Sequence, residues 1–251
     1  MSKHLKRILI FVFLLPVVLL SILFGVLYAH QDEVVKELVE TLNEDFVGEV
    51  EIEDSHISPF GDFPYISIDL ENVKIFPDKE DHTEPILHLE DTYLGFSLWD
   101  IIAGKYDIKS LKLKGGFIHL VQHVDGSFNV SKALETTHEI EDLEEEFHIH
   151  LKHIEIDHVD INKLNEENNI MFDAYVVKAE SQFKSTNEAT NIHLDSRFEL
   201  SMIQDGDTSF INHKHFDIET ELSYFNATDI FKINPSKLFL EGSLFEMEGD
   251  I

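Results

Sequence analysis

The sequence predicts a mainly β protein that carries one membrane-spanning helix near its N-terminus. Three observations lead to this fold class. Residues 8–27 form an apolar run without a charge, apolar and polar residues alternate with a period of two after Gly48, and helical periodicity is scarce elsewhere. Apolar side chains at every second position are typical of strands that are buried on one face only.

The composition limits the classes of function. The chain has 251 residues, with 19 Lys and Arg against 49 Asp and Glu, and a formal net charge of −30. Such a surface repels phosphate backbones, so the sequence predicts no nucleic-acid partner. The chain has no cysteine, which excludes disulfides, thiolate nucleophiles and cysteine-ligated metal sites. A hydrophobic content of 43% is too high for a disordered acidic tail.

The apolar run predicts an uncleaved anchor at residues 8–28. Twenty helical residues span about 30 Å, the thickness of the bilayer hydrocarbon core. Lys3, Lys6 and Arg7 precede the run and acidic residues follow it, which predicts a cytoplasmic N-terminus at residues 1–7 and an extracytoplasmic remainder. A cleaved signal peptide is the alternative, but the run is long and residues 27–29 (Leu-Tyr-Ala) fit its cleavage site poorly. A large cysteine-free extracytoplasmic domain favours a bacterial periplasm, and thus the inner membrane.

Residues 31–47 are predicted to form an amphipathic helix. Val35, Leu38, Val39, Leu42 and Phe46 recur at helical spacing, with acidic residues on the opposite side. The favoured interpretation is a helix that covers a core. An interfacial membrane helix is the alternative, but its polar face would normally be basic.

The strands predict three further segments: a first β unit at 48–130, an acidic linker at 131–147 and a second β segment at 148–251. The alternation after Ile156 resumes one residue out of step at Val159, which predicts a bulge or turn near Asp157 and His158. The strand-like pattern continues to Ile251, and we expect the chain to be a fragment of a longer protein.

A weak internal repeat relates the two β segments. The pattern of Ile108, Leu111 and Leu113, followed by Ile118 and Leu120, is similar to the pattern of Leu151, Ile154 and Ile156, followed by Val159 and Ile161. On the order of ten strands are predicted, with only two helical segments outside the membrane, 31–47 and 97–103. Two short helices cannot cover so long a sheet, so it forms a sandwich, a closed barrel or an open groove.

No pattern in the sequence predicts catalysis. Phosphate-binding loops, nucleophile elbows and zinc-protease motifs are absent from the sequence. His148 and His150, and likewise His213 and His215, would place two imidazoles on one face of a strand, but a metal site needs further ligands. We therefore predict no enzyme activity, catalytic residue, cofactor or metal, and keep a histidine-based metal enzyme as a remote alternative.

The order of elements in residues 1–130 resembles a known family. A basic N-terminus, a membrane helix and an amphipathic helix precede three short sequences: Leu-Glu-Asn-Val-Lys-Ile-Phe-Pro at 70–77, Leu-Trp-Asp-Ile-Ile-Ala-Gly-Lys at 98–105 and Ile-Lys-Ser-Leu-Lys-Leu at 108–113. The unit closes with Gly-Phe-Ile-His-Leu-Val at 116–121 and Asp-Gly-Ser-Phe-Asn-Val at 125–130. Together they resemble the N-terminal region of the AsmA-like family of Gram-negative bacteria, which is similar to chorein-type bridge-like lipid transfer proteins.

The resemblance implies a fold and a function. The fold would be an elongated, twisted antiparallel sheet that forms an open apolar groove. The function would be handling of phospholipid acyl chains for outer-membrane biogenesis, with control of protein targeting to membranes as a further role and other envelope proteins as further partners. The candidate residues that would line the groove are Ile66, Ile68, Leu70, Val73, Ile75, Leu111, Leu113, Ile118 and Leu120. The alternative is an anchored, closed β-sandwich that acts as a scaffold or interaction domain of the envelope.

Overall fold

The structure is a computed structural model. It describes residues 46–58, 61–62, 64–80, 84–97, 99–100, 107–133, 135, 149–186, 189–225, 228 and 230–250, together with Gly25, Lys36, Val39, Glu40, Asn43 and Glu44. The predicted cytoplasmic N-terminus at 1–7 and, apart from Gly25, the predicted anchor at 8–28 lie outside these residues, as does most of the predicted linker at 131–147. Within the described part of the chain, no helix combines the length and the apolarity that a membrane span needs.

The described residues form one open sheet of twelve strands. The strands are β1 (Glu49–Glu51), β2 (Asp54–Ser58), β3 (Ile66–Phe76), β4 (Leu87–Phe96), β5 (Ile108–Gln122), β6 (Ile149–Asn165), β7 (Ile170–Ser185), β8 (Ala189–Gln204), β9 (Asp207–Thr208), β10 (Lys214–Phe225), β11 (Ile230–Leu240) and β12 (Ser243–Asp250). Their order is β1-β3-β4-β5-β6-β7-β8-β10-β11-β12, with β2 beside β3 and β9 beside β8. The mainly β, open sheet is thus confirmed, and the described strands do not form the closed β-sandwich of the alternative.

One pair of neighbours corrects the prediction of an antiparallel sheet. Strands β5 and β6 run parallel, whereas the other neighbouring strands are antiparallel. The register sets Leu111 beside Ile154 and Leu113 beside Ile156, so the two copies of the internal repeat lie side by side. This pairing also joins the first β unit and the second β segment into one sheet.

A row of irregular residues crosses five strands. The registers place Asn72, Glu90, Gly115, His158 and Val177 opposite one another on β3 to β7. Asn72, Gly115 and His158 have φ values of 50°, 65° and 55°. At these residues the left-handed backbone shifts the alternation of side chains along the strand by one residue, as a bulge does. The apolar residues before and after the row therefore point to the same face of the sheet. The irregularity predicted near Asp157 and His158 is confirmed, and it belongs to a row of five positions.

A short helix, α1 (Asn129–Ala133), follows β5 and is held to it by Asn129. The side chain of Asn129 accepts a hydrogen bond from the Val121 backbone N–H (2.9 Å) and donates one to the His119 carbonyl (2.8 Å). It therefore pairs with β5 beyond the position of Leu87, the first residue of β4, much as a neighbouring strand would. Asn129, the fifth residue of the sequence quoted above at 125–130, thus completes the hydrogen bonding at this end of β5.

The described residues between Lys36 and Glu44 are helical, as the sequence predicts for residues 31–47. Val39 packs against Leu70 and Val73 of β3, which agrees with the favoured interpretation of a helix that covers a core. The side chain of Asn43 bonds to both backbone groups of Val50, at 2.7 and 2.9 Å. It thereby caps one edge of the sheet. In the second predicted helical segment, 97–103, Trp99 and Asp100 are helical, and 98 and 101–103 lie outside the described residues.

Candidate functional site: the apolar face of the sheet

The registers set apolar side chains opposite one another in rows that cross the sheet. One row contains Ile75, Leu87, Ile118, Ile161, Ala174 and Leu200 on β3 to β8. A second contains Leu70, Thr92, Leu113, Ile156, Ala179, Ser196, Ile218, Leu238 and Phe245 on β3 to β12. Paired residues share a face, so these rows define the apolar face. All nine candidate lining residues lie on it.

The first strands of this face are covered. Leu89 is 1% exposed, Leu70 4% and Val73 8%, and the helical residue Val39 packs over the last two. Of the candidate lining residues, Ile66, Leu70 and Val73 are therefore buried in a core. Ile68, Ile75 and the four candidates on β5 are half-buried.

The same face becomes accessible on the later strands. Most of its side chains on β8 and β10 are half-buried, among them Phe198 and Phe216, whose rings stack with centroids 5.1 Å apart. Further on, Tyr224 is 36% exposed, Phe245 48% and Met247 36%. The described residues thus form a face that is closed at β3 and β4 and accessible from β8 to β12.

Hydroxyl groups that interrupt the accessible face satisfy one another. Thr220 and Ser236, on β10 and β11, are 7% and 5% exposed, and their hydroxyl oxygens lie 2.6 Å apart. Ser236 also donates to the carbonyl of Asn234. A paired hydroxyl costs far less to cover with an apolar group than a free one. These hydroxyls therefore leave the face able to accept an apolar ligand.

The opposite face is charged. One row sets Asp91, Lys114, Asp157, Lys178 and Arg197 side by side on β4 to β8, with signs that alternate as far as Lys178. Lys114 Nζ lies 2.8 Å from Asp91 Oδ2. This hydrogen bond raises the pKa of Lys114. Exposed ion pairs contribute little stability, but they keep this face hydrated and distinguish it from the apolar face.

A buried polar network lies on the charged face at the junction of β5 and β6. Ser110 is fully buried, its Oγ lies 3.1 Å from His153 Nδ1, and it also bonds to Asp62. On its other side, His153 Nε2 lies 3.4 Å from a carboxylate oxygen of Glu180. The Asp62 carboxylate is 5% exposed, its Oδ2 has no hydrogen-bond partner, and burial raises its pKa. The sequence gives no signal for this network beyond the alternation of its strands, because Asp62 comes from a turn.

The network contains the residue types of a catalytic triad but lacks their access. A nucleophilic serine must reach the substrate carbon, and Ser110 has no exposed surface. The role of the network is therefore structural: it fastens the turn that carries Asp62 to β5 and β6.

Of the two histidine pairs considered above, the structure describes the side chains of the second pair only. His213 and His215 are exposed and both contact the carboxylate of Glu199. His148 and the side chain of His150 lie outside the described residues. Among the residues that are described, no three His, Asp or Glu side chains are grouped as a metal site would require.

Comparison with known proteins gives no family for the chain. Neither a protein-family model nor a curated protein matches it. The resemblance to the AsmA-like family therefore stays a prediction that depends on the residues quoted above.

Proposed function

We propose that the protein handles phospholipid in the bacterial envelope and that the accessible apolar face holds the acyl chains. In this proposal residues 8–28 anchor the chain in the inner membrane, and the sheet lies in the periplasm. The observation that supports it is the apolar face itself, which continues across the sheet and stays accessible from β8 to β12. No catalytic residue is required, because moving a lipid along an apolar surface breaks no covalent bond.

The free energy and the dimensions suit such a ligand. Removing one CH₂ group from water contributes about 0.8 kcal/mol, so an acyl chain binds by burial alone. The accessible strands β8, β10, β11 and β12 extend over about 14 Å at a spacing of about 4.8 Å. An acyl chain occupies half of a bilayer core that is about 30 Å thick. The accessible part of the face therefore has room for one acyl chain laid across its strands.

The charge of the protein suits a path for lipid tails better than a headgroup site. At a formal charge of −30, the surface repels anionic headgroups, which remain in water while the tails lie on the apolar face. The bound lipid would be recognised by its acyl chains and not by its headgroup.

Adjacent residues on opposite faces provide a matched test. Leu238 belongs to the apolar face, and Phe239 lies on the charged face, where it is 37% exposed. The full-length chain is purified in mild detergent, and co-purifying phospholipid is counted by native mass spectrometry and lipid extraction. Leu238→Glu should lose most of the bound lipid, because it places a charge among the acyl chains. Phe239→Glu adds the same charge outside the path and should retain it.

Either of two results would overturn the proposal. The unchanged chain could carry no phospholipid and bind no fluorescent fatty acid after delipidation. Alternatively, the two Glu variants could retain equal amounts of lipid. Circular dichroism of both variants shows whether the sheet is intact.

A further inference from the structure

The two ends of the strands differ, and they can be named by the residues found there. Phe96 ends β4 beside Ile66, where β3 begins, and Ile108, where β5 begins. These residues define the Phe96 end. Gln122 ends β5 beside Asn165, the last residue of β6, and defines the Gln122 end. Fifteen residues of β5 separate the two ends by about 50 Å.

The N-terminal helix runs from the Phe96 end toward the Gln122 end. Val39 packs against Leu70 and Val73, whereas Asn43, one turn later, bonds to Val50, which pairs with Ile75. Ile75 lies nearer the Gln122 end of β3 than Leu70 and Val73 do. The earlier helical residue, Lys36, therefore lies toward the Phe96 end.

The predicted anchor precedes this helix in the sequence, so it connects to the end of the helix that points toward the Phe96 end. Residue 28 is eight residues before Lys36, and eight residues span at most about 29 Å when fully extended. This reach is shorter than the distance of about 50 Å between the two ends of the sheet. Because the helix begins on the side of the Phe96 end, we expect a membrane that holds residues 8–28 to lie on that side.

Trp99, the sole tryptophan of the chain, is exposed at the Phe96 end. It follows β4 directly, and 76% of its surface is accessible. The carboxylate of Asp100, the residue after Trp99, lies 3.9 Å from Lys109 Nζ, which also lies 2.9 Å from the carboxylate of Asp107 just before β5. Lys109 itself is only 12% exposed. The indole is thus largely accessible at this end, and the acidic charge of Asp100 next to it is neutralised in part.

We propose that the Phe96 end of the sheet faces the membrane that holds the anchor and that Trp99 inserts among the lipid headgroups. Tryptophan is enriched at membrane interfaces because its ring is apolar and its N–H still finds polar partners there. The inference depends on the anchoring part of the proposed function and not on lipid binding by the apolar face.

A single tryptophan makes the test direct. The full-length chain is reconstituted into phosphatidylcholine and phosphatidylglycerol vesicles with or without brominated acyl chains, and tryptophan fluorescence is recorded. Trp99 should emit at a shorter wavelength than a tryptophan exposed to water and should be quenched by the brominated lipid. The matched control is the double variant W99F/F210W, which moves the only indole to the loop before β10. Phe210 is 79% exposed and lies at the Gln122 end, so the tryptophan of this variant should not be quenched.

The outcomes separate this inference from the proposed function. If the chain does not float with the vesicles, the anchor is absent, and both the anchoring and this inference are wrong. If it floats and Trp99 is not quenched, or if the W99F/F210W variant is quenched to the same extent, the inference is wrong while the anchor stands. Lipid binding by the apolar face is decided independently by the Leu238 and Phe239 variants.

Discussion

Replacing Asn129 by Ala should free the end of β5. The substitution removes the hydrogen bonds to the His119 carbonyl and from the Val121 N–H, both shorter than 3.0 Å. Each such bond contributes about 0.5–1.5 kcal/mol net, so the free energy that keeps this segment closed should fall by about 2 kcal/mol. A loss of this size corresponds to a roughly 30-fold larger population of the open segment.

The assay is amide hydrogen exchange, followed by mass spectrometry with residue-level fragmentation. The Val121 amide should exchange about 30-fold faster in N129A, because exchange follows the open population. Asn129→Asp keeps the oxygen that accepts from Val121 and loses the donor to His119, so it should preserve most of the Val121 protection while weakening the segment. Asn212→Ala, in an exposed loop, is the control. Val121 exchange that stays within a factor of about two in N129A would refute the role assigned to this side chain.

Two further predictions concern backbone strain and a buried acid. Gly116 and Gly126 both have positive φ, so alanine at either position should cost about 1–2 kcal/mol of backbone strain. Only a Cβ at 116 would also collide with the His88 carbonyl oxygen. In urea unfolding, Gly116→Ala should therefore lower the free energy of unfolding by more than Gly126→Ala. Equal losses would contradict this close approach. Burial raises the pKa of Asp62, so the carboxyl group keeps its proton in the folded protein at a pH where the unfolded chain has released it. The contribution of protonated Asp62 to the free energy of unfolding is therefore present at low pH and is lost as pH rises through the folded pKa. Asp62→Asn should therefore gain stability relative to the unchanged chain as pH rises from about 4 to 7. Hydrogen bonds from Ser127 lower the pKa of Asp125, so its contribution to stability is present above the ordinary carboxyl pKa of about 4 and is lost as pH falls below it. Asp125→Asn should therefore lose stability relative to the unchanged chain as pH rises from about 2 to 5, and a gain over that range would disprove the assignment.

The alternation of side chains predicts which face each strand buries but not how the strands pair. The shift at Val159 correctly predicts an irregular His158, since that change of phase is visible within one strand. That Asn72 and Gly115 align with His158 depends on three registers that no local pattern specifies. The parallel pairing of β5 and β6 is equally non-local, although the internal repeat is consistent with it.

The candidate site was predictable as a face and not as an accessible surface. Every candidate lining residue shares the apolar face because period-two patterning determines the direction of a side chain. Whether that side chain is covered depends on tertiary contacts, and Val39 covers Leu70 and Val73 in a way that their own spacing does not reveal. The accessible part lies on β8 to β12, where Phe198 and Phe216 alternate with polar residues much as the covered strands do.

The parallel pairing of β5 and β6 also has a consequence for how the chain assembles. The other neighbouring strands from β3 onward are antiparallel and are joined by connections of at most eleven residues, so each side of the sheet can form from contacts that are near in sequence. The pairing of β5 with β6 instead requires the closure of a long loop, residues 123–148, and the entropy of loop closure rises only slowly with length. A peptide bond broken within this connection would leave two pieces that still share twelve pairs of facing residues. The molecule is therefore suited to fragment complementation, in which two separately made halves reassociate along β5 and β6.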